Sequence, residues 1–442
     1  MRMALALHLL VPGLGAVHCA RGQSTSHFPE LPLVHTDNGN NSSAAQAAHY
    51  VVLVSLNGFR WDYARREDTE HLLSLGNSGV WAPDGMMPGY PALSFANGYT
   101  IATGLYPGHH GIIGDEFIDP DRNARFSVAD HDAVSDGSWY SGTPLWSLAE
   151  KQGMRTACIS WPGSEAKIAG FRPTWYAESN PRTNARTELG QARINRAIAL
   201  LRQPVDERPH LILMSLDEPE LEAAEFGAEA AETRAAERKT DALIGKLKSA
   251  LDAMGLPVDL VVVSDHGVAD VQGGWITLDR FADLNGFDGK SDLLYAQSEQ
   301  DRVRVYEQLK KASSQFVVFR RRNVPAELDY NHGARVGDPV VIATGPYAIR
   351  ARTPASGQRI KAPGAGVSGF DPRRVPEMKA IFFAAGPDIV KGKTVAPFDN
   401  VNLYPWLAHI LGLAPAKNDG NLNILAGTLR NNGNEPDNAP AN

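Results

Sequence analysis

Cysteine is nearly missing from this chain: its 442 residues hold only Cys19 and Cys158. A disulfide framework is therefore excluded as the basis of the fold, and stability has to come from a packed core. Long apolar runs are also scarce. Beyond the first twenty residues no stretch approaches the roughly 20 residues needed to cross a bilayer, so no membrane span is expected. Charge of one sign is not in large excess either, with 43 Lys and Arg against 50 Asp and Glu, a net charge of −7 and a pI near 6.0. That balance leaves no basic footprint for nucleic acid or anionic lipid. Free nucleotides and small phosphoesters stay open as ligands, because a local site can be positive on an acidic protein. Internal repeats are absent, and low-complexity sequence is confined to the ends.

What is present begins with a leader. Arg2 precedes an apolar run from Met3 to Val17, followed by Ala20-Arg21-Gly22. This reads as a secretory signal peptide over residues 1–22, removed on export. Export without disulfides fits a bacterial periplasm or secretion into the medium. Residues 23–48, rich in Ser, Asn, Gly and Ala, read as a linker, and residues 429–442 as a disordered tail. Residues 49–428 then form one α/β domain, with an insertion expected at about 270–346.

Within that domain short apolar runs alternate with helical patterns. Val51–Leu56, Thr156–Ser160, Leu211–Leu216, Leu260–Ser264 and Ala380–Ala385 read as strands buried on both faces. Glu188–Leu201 and Glu229–Met254 have helical spacing and composition. The alternation predicts a mainly parallel central sheet flanked by helices. Ligands of such sheets gather beyond the carboxyl ends of the strands. The first strand ends at Asn57, the third at Asp217-Glu218-Pro219-Glu220, and the fourth at Asp265-His266-Gly267. A carboxylate beside an imidazole at a sheet mouth suits zinc and similar ions, although such pairs also serve as loop caps.

Several segments, in order, resemble one family. V-V-L-V-S-L-N-G-F-R-W-D-Y is similar to the opening strand and D-G-F-R-W-D-Y of the ectonucleotide pyrophosphatase/phosphodiesterases, a branch of the alkaline phosphatase superfamily. Met86–Asp115 resembles their nucleophile segment, followed here by T-G-L-Y-P-G-H-H-G-I. W-P-G-S-E at Trp161, S-D-H-G at Ser264, M-K-A-I-F-F-A-A-G-P at Met378 and P-F-D-N-V-N-L-Y near the end also match. The resemblance implies an alkaline-phosphatase-like fold and a phosphodiesterase in which two zinc ions flank a Thr nucleophile.

Carried over residue by residue, the pattern is only partly kept. Ser94 stands at the nucleophile position, a change the chemistry tolerates because the hydroxyl remains. Asp265 and His266 match ligands of the activating metal, whose third ligand, an Asp, is replaced by the weaker Asn57. For the other metal, Glu220 stands for an Asp, while Ala224 and Ser368 stand where two His ligands belong. Asp115 replaces an Asn that donates to a phosphate oxygen. The base-stacking aromatics match Phe95 and Trp175, which simple packing explains equally well. His109, His110 and His332 read as loop or structural histidines. The expectation is a degraded two-metal site with at most one zinc or other divalent ion, hence a pseudoenzyme or binding protein. The alternative is an active hydrolase that uses Ser94 with a rebuilt metal site.

Overall fold

A computed structural model describes residues 33–65, 69–178, 190–288, 292–354 and 364–430. The signal peptide, residues 23–32 and the tail beyond 430 lie outside the described residues.

The apolar runs at 50–56, 156–159, 211–216, 258–263 and 382–385 offer buried residues to both sides and make up most of the interior of a nine-stranded sheet. In chain order the strands are Val34–His35 (β1), Tyr50–Leu56 (β2), Val80–Trp81 (β3), Thr156–Ile159 (β4), Trp175–Ala177 (β5), Leu211–Leu216 (β6), Val258–Val263 (β7), Phe382–Ala385 (β8) and Lys393–Thr394 (β9). Their spatial order is β1-β5-β4-β6-β2-β7-β8-β3-β9. The strands from β5 through β7 run parallel, whereas β1 and β8 are antiparallel to their neighbours. Side chains alternate across the pleat. Val51 and Leu53 of β2 and Val261 and Val263 of β7 therefore enter one core. Val52, Val54, Leu260 and Val262 enter the other.

Helices cover both faces. On the first lie Ser94–Thr103, Leu145–Lys151 and Leu403–Ile410; on the second lie Glu70–Ser78, Gly190–Leu201 and Ala231–Met254. With the short Glu220–Phe226 included, they are numbered in chain order: α1 Glu70–Ser78, α2 Ser94–Thr103, α3 Leu145–Lys151, α4 Gly190–Leu201, α5 Glu220–Phe226, α6 Ala231–Met254 and α7 Leu403–Ile410. Between Ile276 and Ala351 a smaller core forms around Leu278, Leu294, Val305 and Phe316. No helix among the described residues is long and apolar enough to cross a membrane.

One stretch departs from the sequence reading. Residues 33–48, expected as linker, hold edge strand β1, paired to β5 through Val34↔Tyr176 and His35↔Trp175. Their polar side chains serve as backbone partners. Asn41 donates to the carbonyls of Val205 and Arg208 at 2.9 and 2.7 Å and accepts the Arg155 N–H at 2.7 Å. A composition that reads as linker is thus consumed in fastening an edge.

Candidate active site

Central strands β6, β2 and β7 release their chains side by side, and this positions the polar strand ends. Ser55 pairs with Val263, so the residues two further on, Asn57 and Asp265, emerge at the same level. Gly58 follows with φ +68, in the left-handed region that suits glycine. Its N–H donates to Asp265 Oδ1 at 3.0 Å, and the His266 N–H donates to the same oxygen at 2.9 Å. Asp265 Oδ2 is buried without a hydrogen-bond partner. A carboxylate oxygen so placed calls for a cation or a proton.

The His266 ring is fully buried, with Nδ1 2.7 Å from the Gly267 carbonyl oxygen. A carbonyl can only accept, so Nδ1 carries a proton, and in the neutral ring Nε2 turns its lone pair toward Ser94. Ser94 is the first residue of α2, with Oγ 2.9 Å from His266 Nε2 and 3.0 Å from Glu220 Oε2. Its one hydroxyl proton can satisfy either acceptor but not both. Nε2, the Glu220 carboxylate and Asp265 Oδ2 form an acceptor-rich group, and a ligand atom from each residue lies within 4.8 Å of the others. Burial pushes the Glu220 carboxyl up to about 7, His266 opposing and Asp265 reinforcing the shift. Burial works against charging His266, but Asp265 and Glu220 outweigh it and hold the ring above its ordinary range.

Glu220 is the site residue whose direction could not be read in advance. Expected as a weak ligand of the second metal, it reaches across to Ser94 and His266, joining the residues of the first. Its backbone N–H is tied to the Asn57 carbonyl at 3.2 Å, and a Cβ at Gly58 would come within 2.8 Å of Glu220 Cβ. Glycine there lets the two loops touch. Asn57 turns the other way, its Oδ1 accepting from Ser215 Oγ at 2.8 Å. Asp217 is paired with buried Arg193 at 2.7 Å.

Ala224, one helical turn beyond Glu220 on α5, is exposed and offers no ligand atom; its carbonyl accepts the Ala365 N–H at 3.1 Å. Ser368 and Asp115 line a neighbouring cavity of about 520 Å³, together with Tyr90, Trp275, Tyr330 and Phe370. Sequence reasoning missed these aromatics, which come from separate loops without any local signal. Asp115 is exposed at this recess. Desolvation by the surrounding protein raises its carboxyl above the ordinary range, with His266 pulling it down.

Of the two expected stacking aromatics, Phe95 directly follows Ser94 on α2, whereas Trp175 lies apart from the cluster. Phe95 is 7% exposed and packs edge-on against Phe126 with centroids 5.9 Å apart. Trp175 is level with Ala157, Ile212 and Val52 across the sheet, five residues before Asn57 and three strands to the side. At about 3.3 Å per residue and 4.8 Å per strand, that is roughly 20 Å away. There it packs on His35 at a ring separation of 4.2 Å. His332 lies beside His109, ring centroids 5.1 Å apart, and His110 is buried against Thr100 Oγ1 at 3.0 Å.

Ser94, at the start of α2, thus faces one histidine and two carboxylates at the sheet mouth. The sequence profile of the type I phosphodiesterase/nucleotide pyrophosphatase family matches residues 51–364, most of the chain. The chain belongs to this family. An uncharacterized pyrophosphatase/phosphodiesterase of fission yeast, Schizosaccharomyces pombe, is 30% identical over 88% of this chain and 82% of its own length. Venom phosphodiesterase 2 of Crotalus adamanteus is 28% identical over 86% of this chain and 47% of its own. For mouse ectonucleotide pyrophosphatase/phosphodiesterase family member 1 the figures are 30%, 86% and 42%. The chain thus spans less than half the length of these two longer relatives. Murine ectonucleotide pyrophosphatase/phosphodiesterase 5 superposes with a TM-score of 0.78 at 25% identity, covering 86% of this chain and all of that one. An inactive variant of that protein has been solved in complex with AMP. Within the phosphodiesterase family, metal-dependent hydrolysis is the reference chemistry, and Glu220, Asp265 and His266 are a group at the sheet mouth that could hold a metal ion.

Proposed function

We propose that this chain is a single-metal phosphodiesterase that takes a small phosphoester or nucleotide, with Ser94 as its nucleophile. The observation that carries the reading is the turn of Glu220 toward Ser94 and His266. It supplies a third ligand to the ion whose usual acid is replaced by Asn57. Three protein ligands with a position left open is the requirement of catalytic zinc. The unpartnered Asp265 oxygen and the His266 lone pair fit one divalent ion. The second ion does not fit, since Ala224 has no ligand atom and Ser368 only a neutral hydroxyl.

A bound divalent ion supplies positive charge that favours the Ser94 alkoxide and offsets charge on the phosphoryl oxygens. The chain's own groups do the rest. Glu220 Oε2, 3.0 Å from Ser94 Oγ, is placed to take the hydroxyl proton through the carboxylate oxygen the ion leaves free, since His266 Nε2 would be committed to the ion. Asp115 stands where an amide would otherwise donate to a phosphoryl oxygen; as a carboxylate it can only accept, so it adds no donor there. The cavity beside Ser368 accepts the remainder of the ligand. AMP bound to the family 5 neighbour supports a nucleotide as occupant. The venom and ecto-enzyme names among the relatives support export of this chain.

A second reading, ligand binding without turnover, is favoured by the loss of both histidines at Ala224 and Ser368. No second ion would then stabilise the leaving oxygen. Hydrolysis of a nitrophenyl phosphodiester in added zinc, paired with AMP binding, separates the two. The single-metal reading expects slow, zinc-dependent turnover that Ser94→Ala abolishes, with one ion per chain released by His266→Ala. AMP binding with no turnover at any zinc level would sink it in favour of the second.

A further inference from the structure

Among the described residues a second group of side chains has the composition of a metal site, at the opposite end of the sheet. His49 leads into β2, Asp259 is the second residue of β7, and Asp388 follows β8; one ligand atom from each lies within 4.8 Å of the others. Along β7, Asp259 is six residues from Asp265, roughly 20 Å. The cluster is therefore distinct from the Ser94 site. His49 Nδ1 is 2.6 Å from Asp388 Oδ2, and the Asp388 N–H donates to Asp259 Oδ1 at 3.1 Å.

The decisive member is Asp259. It is fully buried, yet Oδ2 has no hydrogen-bond partner. Burial, with the Asp388 carboxyl alongside and hydrogen-bonded to it, pushes its carboxyl up to about 8, against the pull of the Asp388 N–H and of Arg430. Space for the carboxylate is provided by Gly386, where a Cβ would stand 2.2 Å from Asp259 Oδ1. The site is also reachable, since the His49 side chain is 37% exposed and that of Asp388 12%.

We propose that His49, Asp259 and Asp388 bind a divalent transition-metal ion of the zinc type, which fastens the start of β2 to β7 and β8. One imidazole nitrogen and two carboxylate oxygens are borderline ligands that suit zinc, cobalt or manganese better than calcium or magnesium. An ion there removes the mutual repulsion of two adjacent carboxylates and satisfies the orphaned oxygen. The role is structural: the three ligands come from segments far apart in sequence, so ligation closes long loops.

The test uses the full chain carrying His266→Ala, stripped of metal, with cobalt and then zinc as the probes. Expected are visible d–d absorption at one cobalt per chain and a rise in thermal midpoint with zinc. Both should be lost when His49→Ala or Asp259→Asn is added. Absence of cobalt absorption in the His266→Ala protein, or its survival through both added substitutions, overturns the proposal. Because Asp259→Asn alters a buried group, His49→Ala in the otherwise native chain is the second arm. It must lower bound zinc by one ion per chain while leaving the fold intact by circular dichroism; unchanged zinc content there also overturns it.

Discussion

At the scale of single residues the site depends on how closely Gly58 and Glu220 approach. Gly58 combines a positive φ with a contact that a side chain would violate. Gly58→Ala therefore has two consequences. The left-handed backbone costs about 1–2 kcal/mol. The added methyl also pushes Glu220 away from Ser94, so the ligand set loosens although no ligand is removed. The expected outcome is a folded protein with phosphodiester turnover reduced about tenfold or more and weaker zinc retention. Steady-state kinetics with metal analysis check this. Unaltered turnover in a folded Gly58→Ala protein would show that the position of Glu220 is immaterial.

Among secondary-structure elements, α1 is held at its start by a neighbour. Thr69, at its N-cap, makes no side-chain cap bond. Instead Asp241 of α6 accepts the N–H groups of His71 at 3.1 Å and Leu72 at 2.8 Å. One buried carboxylate thus caps one helix from the middle of another, and favours the positive end of the α1 dipole. Asp241→Ala leaves both N–H groups unpaired in the interface. Loss of a cap costs typically about 1–2 kcal/mol. Denaturant unfolding should show a lower midpoint by that amount with an unchanged slope. Asp241→Asn, keeping an acceptor, should lose less.

For the molecule as a whole, the buried acids make stability depend on pH. Glu165 is 4% exposed, and burial raises its carboxyl from 4.5 to about 8. One oxygen, Oε2, has no partner. Between those two values the folded chain holds a proton that the unfolded chain has released. The unfolded state therefore binds fewer protons, and stability falls as pH rises from about 4.5 toward 8. Glu165→Gln removes that dependence while keeping size and polarity. Thermal unfolding at pH 5 and pH 8 should show the variant gaining on the native chain at the higher pH. An equal difference at both values would mean that Glu165 is ionised in the folded state throughout.

The main strands were legible because each apolar run fills both faces of a buried sheet, a requirement that acts locally. Leu211–Leu216 is bounded in the structure as its sequence suggests, and the strand ends placed Asn57, Asp265 and His266 at one mouth. The incapacity of Ala224 was legible too, since an alanine cannot ligate wherever it sits. Edge strand β1 was not, because two residues pair only when β5 is there to receive them. Trp175 carried the right residue type, but its level in the sheet comes from register with β4. The direction of Glu220 follows from contact between the loops after β2 and β6, more than 150 residues apart. The same holds for His49, Asp259 and Asp388. Sequence by itself determined which groups this protein can use; the tertiary structure decided which meet, since side-chain convergence is set by packing between distant segments.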